Sequence, residues 1–282
     1  MTKPARVSIP LSARLGARVA VLALAALAPL AAHAHRQWLL PSATVLSEKD
    51  AWVTVDAAVS NDLFYFEHMP MRLDNLAVTA PDGKTAATAE NASTGKYRST
   101  FDLHLTQPGT YRVAVVNYGV FASWKENGQT RRWRGTAEAF GKSVPAGAQD
   151  LQVNEMAGRV ETYVTNGRPT RQVLTTTGKG LELAPITHPN DLIAGETASF
   201  RLLLDGKPAA NQKVSVVPGG IRYRDRLNEL EATTDADGKF SVKYPAPGMY
   251  WMEAETRDDK TSIKEAKARR ATYAVTVEVL PQ

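Results

Sequence analysis

The chain has 282 residues, no cysteine and a formal net charge of +5. Without cysteine there are no disulfides, no lipobox lipid anchor and no thiolate metal sites, so any metal ligand must be His, carboxylate, Met, Tyr or backbone. Four of the 34 basic residues (Lys3, Arg6, Arg14, Arg18) sit in the first 34 positions, which leaves 30 against 29 acidic and gives no case for nucleic-acid binding.

Residues 1–34 are expected to be a secretory signal. A basic n-region without acidic residues precedes the 14-residue apolar run Val19–Ala32, and Ala32-x-Ala34 is a small-residue cleavage site. That run is shorter than the roughly 20 residues a membrane helix needs. A cut after Ala34 makes His35 the first residue of the mature chain. Its free α-amine and ring Nδ1 can then close a chelate on one ion, and one more imidazole completes a three-nitrogen set of the kind copper or nickel favours. A cut two residues earlier gives His33-Ala34-His35, a different chelate. A histidine can also stand at a new terminus by chance. The expected compartment is the periplasm, with no membrane span in the mature chain.

The remaining 248 residues suffice for one large or two ordinary domains. Strands are predicted at Ala51–Val59, Leu76–Thr79, Tyr97–Leu105 and Thr110–Val116, separated by the turn signals Pro81-Asp-Gly83 and Gln107-Pro-Gly109. Residues 119–148 break the alternation and read as a long Trp/Arg-rich excursion. Short helices are expected around Trp133–Phe140 and Lys260–Arg270. Strand text resumes at Leu151–Val153 and Gly158–Thr165, and Leu181–Pro185 reads as a connecting strand. A second series follows at Thr197–Leu204, Lys213–Val217, Glu231–Thr234, Lys239–Tyr244, Met249–Glu255 and Ala271–Leu280. The expectation is all-β: two antiparallel, immunoglobulin-like sandwiches, one over residues 35–178 and one over 179–282.

His35-Arg-Gln-Trp-Leu-Leu-Pro41 has the pattern His-x-x-Trp-x-x-Pro, and Gly180-Leu-Glu-Leu-Ala-Pro185, Leu204-Asp-Gly-Lys-Pro208 with Val214–Val217, and Thr233–Phe240 with Pro247–Trp251 follow it. Together these resemble a large bacterial domain-of-unknown-function family, some members of which are linked to nickel or cobalt uptake as NikM-like periplasmic components. The last segments are also similar to carboxypeptidase-regulatory and collagen-adhesin β-sandwich modules. The resemblance implies a two-sandwich fold and a periplasmic role beside a metal-transport or outer-membrane receptor component.

Four histidines remain beyond the expected cut: His35, His68, His104 and His188. His68 lies in Phe64-Tyr-Phe-Glu-His-Met-Pro-Met71, beside Glu67, Met69 and Met71, and is the expected partner of His35. Thioether neighbours point to Cu(I), a carboxylate neighbour to nickel, cobalt or zinc. Met69 and Met71 equally suit the edge of a core. His104 shares a strand face with Asp102, Thr100 and Thr106, as a surface histidine does. His188 falls in a turn, where an ordinary hydrogen bond accounts for it. Asp235-Ala-Asp237-Gly238 fails as a calcium loop because position twelve is Ala246 rather than Glu, and it reads as a hairpin turn.

Trp124, Arg131, Arg132, Trp133 and Arg134 offer a second surface, for an anionic, planar or sugar-like ligand, unless the tryptophans simply anchor the segment. No catalytic residue is expected, since no nucleophile–base motif is present. The leading expectation is a non-enzymatic periplasmic metal-binding accessory protein holding Ni, Co or Cu. Two alternatives are a copper-dependent oxidative enzyme with an N-terminal His brace and Tyr65 as axial residue, and a metal-free envelope or glycan-binding module.

Overall fold

The computed structural model describes residues 35–282. The signal-peptide reading of residues 1–34 lies outside the described residues.

In chain order the first elements are β1 (Arg36–Pro41), β2 (Val45–Leu46), β3 (Trp52–Ser60), β4 (Met69–Pro70), β5 (Leu76–Thr79), β6 (Ala89–Thr94), β7 (Ser99–His104), β8 (Gly109–Glu126), β9 (Gln129–Gly135), α1 (Ala137–Ser143) and β10 (Gln149–Asn166). There follow β11 (Leu181–Pro185), β12 (Thr197–Leu204), β13 (Lys207–Pro208), β14 (Lys213–Pro218), β15 (Leu230–Thr233), β16 (Lys239–Lys243), β17 (Gly248–Asp258) and β18 (Arg269–Val279). The fold is an all-β sandwich, as the short alternating strands predict.

Its frame is a nine-stranded sheet with the path β15-β14-β17-β18-β10-β8-β5, to which β2 and β9 add. The path runs through both halves of the sequence because β10 and β18 pair in parallel. A five-stranded sheet (β1-β3-β7-β6, with β4 on β3) covers one face of this frame, and a four-stranded sheet (β11-β12-β13, with β16 on β12) covers the other. Strand alternation shows the division on β17. Trp251 enters the core shared with the five-stranded sheet, while Tyr250, Met252 and Ala254 enter the core under the four-stranded one. Strands buried on both faces carry near-continuous apolar text, and Ala271–Val279 reads that way.

Four sequence expectations need correction. Residues 119–148 are not an irregular excursion. Strand β8 simply continues to Glu126, turns at Asn127-Gly128 with both residues at positive φ (51° and 75°), and returns as β9. An Asn-Gly pair in that conformation is the hairpin turn whose twist matches the flanking strands.

The helix near Trp133–Phe140 begins later, at Ala137, because Trp133–Gly135 remain in β9 and the Thr136 side chain caps the helix on the Ala139 N–H. Residues 260–268 are not helical, and Arg269 already belongs to β18. The Glu155 carboxylate captures the Ser262 and Ile263 N–H groups at 2.7 and 3.1 Å, holding that backbone in an irregular turn that packs Ile263 and Ala266 on a small third core.

The Asp235 segment is a tight turn but not the expected hairpin, because the strands it joins, β15 and β16, belong to different sheets. Its carboxylate accepts the N–H groups of Asp237 and Lys239 at 2.9 and 2.8 Å. Among the described residues no helix is long and apolar enough to cross a membrane.

Candidate functional site

His35 stands at the open end of β1, and three layers of contacts fix where it points. First, β1 pairs antiparallel with β3, Arg36 opposite Ser60, so the next residues out, His35 and Asn61, stand side by side. His35 Nδ1 lies 2.9 Å from Asn61 Oδ1, and Arg36 donates to the Asn61 carbonyl at 2.8 Å. Second, Trp38 is fully buried and its Nε1–H donates to Ser60 Oγ at 2.8 Å. Third, Trp251, from the far half of the sequence, donates its Nε1–H to the Gln37 carbonyl at 2.9 Å.

The loop from Asn61 to His68 curls back on itself. The Ser60 hydroxyl donates to the Asp62 carbonyl at 2.6 Å. The Glu67 carboxylate accepts the N–H groups of Asn61 and Asp62 at 2.7 and 3.0 Å, closing the loop from the other side. Phe64 adopts a left-handed backbone (φ 61°), a conformation that costs a bulky residue about 1–3 kcal/mol and persists only where packing enforces it. Here the Phe64 and Phe66 rings both sit 5.5 Å from Trp38, and Gly219 lets Phe64 approach so closely that a Cβ there would lie 3.1 Å from the ring.

The result is that His68 returns to His35. Their ring centroids are 3.8 Å apart with planes at 58°, and both rings are exposed to solvent. The two residues paired in the sequence reading therefore meet. Among the described residues, no group of three or more His, Cys, Asp or Glu side chains is placed to hold a metal ion. The side chains here supply two imidazoles, and a third nitrogen would have to come from a His35 amine.

The weaker candidates fall elsewhere or have other partners. Glu67 spends its carboxylate on the loop amides. Met69 is 47% exposed beside His68, whereas Met71 is buried in the core. His104 stacks on Trp52 (4.3 Å, 7°) and bonds Asp50 at 2.7 Å. It pairs with the first residue of β3, while His35 flanks the last, so roughly 27 Å of extended strand separates them. His188 is buried with both ring nitrogens engaged, Nδ1 accepting the Asn190 N–H at 3.1 Å and Nε2 facing the Thr170 carbonyl at 3.0 Å. Burial lowers its proton affinity, partly offset by the Thr170 carbonyl.

In the Trp/Arg segment the tryptophans turn inward and the arginines outward. Trp124 and Trp133 pack on the third core, where Trp133 meets Phe140 at 5.8 Å. Arg131 pairs with Glu126 at 2.8 Å, Arg134 lies over the Phe121 ring at 5.0 Å, and Arg132 is exposed. Tyr65 carries the Arg222 guanidinium 4.0 Å above its ring.

Sequence reasoning missed Asn61 and the loop 219–228, which brings Arg222 and an 88% exposed Tyr223 toward the aromatic segment. The run Arg222-Tyr-Arg-Asp-Arg226 was the available signal, a dense cationic stretch between two strands. Asn61 had none, since its place depends on the β1–β3 register.

No curated protein matches the sequence. Among solved structures, the D0–D1 domain of intimin aligns at 14% identity over 86% of this chain and 97% of that chain, with a TM-score of 0.22. The human OSCAR ligand-binding domain aligns at 13% identity over 87% and 100%, with a TM-score of 0.20. A marsupial T cell receptor aligns at 11% identity over 88% and 73%, with a TM-score of 0.20. The sequence also matches a family model over residues 32–258, and the chain belongs to that family, the domain of unknown function DUF4198.

Proposed function

We propose that this protein is a non-enzymatic transition-metal-binding accessory protein of the periplasm, loaded at a mature N-terminus that begins with His35. The observation that carries the reading is the approach of His68 to His35, 3.8 Å between ring centroids, by residues 33 positions apart in the sequence. Cleavage after Ala34 would add an α-amine to the same residue. An amine with two imidazoles is a borderline nitrogen set, suited to Cu(II), Ni(II) or Co(II), and its affinity in that order follows from ligand chemistry.

Asn61 has a defined part in this reading. With its Oδ1 on His35 Nδ1, it either yields Nδ1 to the ion or holds the Nδ1–H and orients the ring so that Nε2 binds, as outer partners of metal-ligating histidines do. The metal is cargo here, taken up or delivered to a transport or receptor component.

Mass spectrometry of the secreted protein fixes the terminus. Titration with Cu(II), Ni(II) and Co(II) then compares wild type with His35→Ala and His68→Ala. Both variants are expected to lose at least about tenfold in affinity. A terminus other than His35, or unchanged affinity in both variants, overturns the reading.

A further inference from the structure

We propose that the cleft beside the two histidines is a thioether site for a soft monovalent cation, Cu(I), with Ag(I) as its laboratory analogue. The cleft is the mouth of the sandwich, where the five-stranded and nine-stranded sheets part. On one side the register sets Gln37 and Met69 on either side of Val59, all on the face that points into the gap. Met71 follows two residues later on the same face and reaches the buried core.

Across the gap β10 presents Met156 and Gly158. Gly158 brings no side chain into the gap, though a Cβ there would lie 3.2 Å from Thr272 Oγ1, and the cavity between the two sheets measures about 590 Å³. Three of the five methionines in residues 35–282 line this one cavity, contributed by two different sheets. The other two lie apart, Met252 in the opposite core and Met249 at a separate pocket.

The chemistry follows from the donor type. Thioether sulfur is a soft, uncharged ligand that selects Cu(I) over harder divalent ions, and in a chain without cysteine it is the one sulfur donor available. Met69 is 47% exposed, so it serves the cleft rather than the core. Met69 directly follows His68 in the sequence, so the thioether row begins on the short strand that leaves the imidazole pair. The site requires neither cleavage at Ala34 nor a free amine, so it stands or falls separately from the terminal site.

The test uses the full chain labelled with [methyl-¹³C]methionine and titrated with Ag(I). The methyl resonances of Met69, Met71 and Met156 are expected to shift while those of Met249 and Met252 stay in place. The double variant Met69→Leu/Met156→Leu, which conserves apolar volume, is expected to weaken Cu(I) binding at least about tenfold in competition with a Cu(I) chelator. Its Cu(II) and Ni(II) binding should match wild type. Unchanged Cu(I) affinity in the double variant overturns the proposal, as do shifts at Met249 and Met252 instead. Loss of Ag(I) binding in His35→Ala but not in the leucine variant also overturns it, and leaves the terminal site standing.

Discussion

The His35 imidazole leans on that of His68, with centroids 3.8 Å apart and planes at 58°. The loop between them is held by polar contacts from both ends, Ser60 to the Asp62 carbonyl and Glu67 to the Asn61 and Asp62 amides. The backbone of residues 60–68 thus sets the two residues side by side, and Asn61 Oδ1, 2.9 Å from His35 Nδ1, holds the first ring. This matters for binding, because ligands held in place before the ion arrives lose less conformational entropy on loading.

Glu67 tests whether that loop acts by position or by direct ligation. A single oxygen, Oε1, accepts both amide protons. Glu67→Gln keeps an oxygen there, and metal affinity is expected to stay within about threefold of wild type. Glu67→Ala removes the acceptor and is expected to weaken binding about tenfold, the cost typical of losing an outer partner. Isothermal titration of both variants checks this. Equal losses in Gln and Ala would make Glu67 a ligand through its charge.

Ser60 links the buried Trp38 to the same loop. Ser60→Ala leaves the Trp38 Nε1–H without an acceptor in a fully buried setting and cuts the tie to Asp62. A stranded buried donor costs about 1–3 kcal/mol, so the variant should unfold at correspondingly lower urea. Hydrogen exchange of the Asp62–His68 amides should also accelerate relative to those of β3. Faster exchange confined to β3, with the loop unchanged, would mean the loop is held by something else.

How far the sequence reached depends on the range of the contacts involved. Strand alternation is local, and Thr197–Leu204 is seen as β12 with the predicted ends. The pairing of His35 with His68 rested on a single aromatic, histidine-bearing loop, and the register of β1 against β3 delivered it. What pattern reading cannot reach is competition from distant side chains. Residues 260–268 carry helical text, yet Glu155, more than 100 positions away in sequence, takes their N–H groups. The Asn127-Gly128 turn was legible but was hidden by the cationic composition around it. The sharing of one sheet through the parallel β10–β18 pair is a matter of strand order, which composition does not encode.

Arg159 lies inside the fold among acidic groups. Its guanidinium meets Glu161 at 2.9 Å and Glu182 at 3.5 Å, and all three side chains are almost fully buried. Glu161 also accepts the Tyr163 and Tyr273 hydroxyls, and Glu182 accepts the Thr177, Gly178 and Lys179 amides that lead into β11. Arg159→Met preserves much of the volume but leaves two carboxylates without their cation. The expected loss is about 3–5 kcal/mol by urea unfolding. The double change Arg159→Met/Glu161→Gln should recover part of it, because Gln can still accept the two tyrosine hydroxyls, whereas both Glu182 oxygens accept backbone N–H groups that an amide NH2 could not. A single variant as stable as wild type would show that the carboxylates are satisfied by their amide and hydroxyl donors alone.

His188 gives the fold a pH dependence whose sign is fixed by its surroundings. Burial lowers its proton affinity below the ordinary value of 6.5. The folded chain therefore resists a proton that the unfolded chain accepts, so this group's contribution is complete above pH ~6.5 and declines as pH falls through that value. His188→Gln removes the acceptor of the Asn190 N–H and is expected to cost about 1–3 kcal/mol at pH 7.5. At pH 5.5 wild type has lost part of its own advantage, and the gap between the two proteins should narrow. Urea unfolding at both pH values measures it. A gap that widens on acidification would mean that His188 is protonated inside the fold, with the Thr170 carbonyl and Asp191 outweighing the desolvation that dominates in this structure.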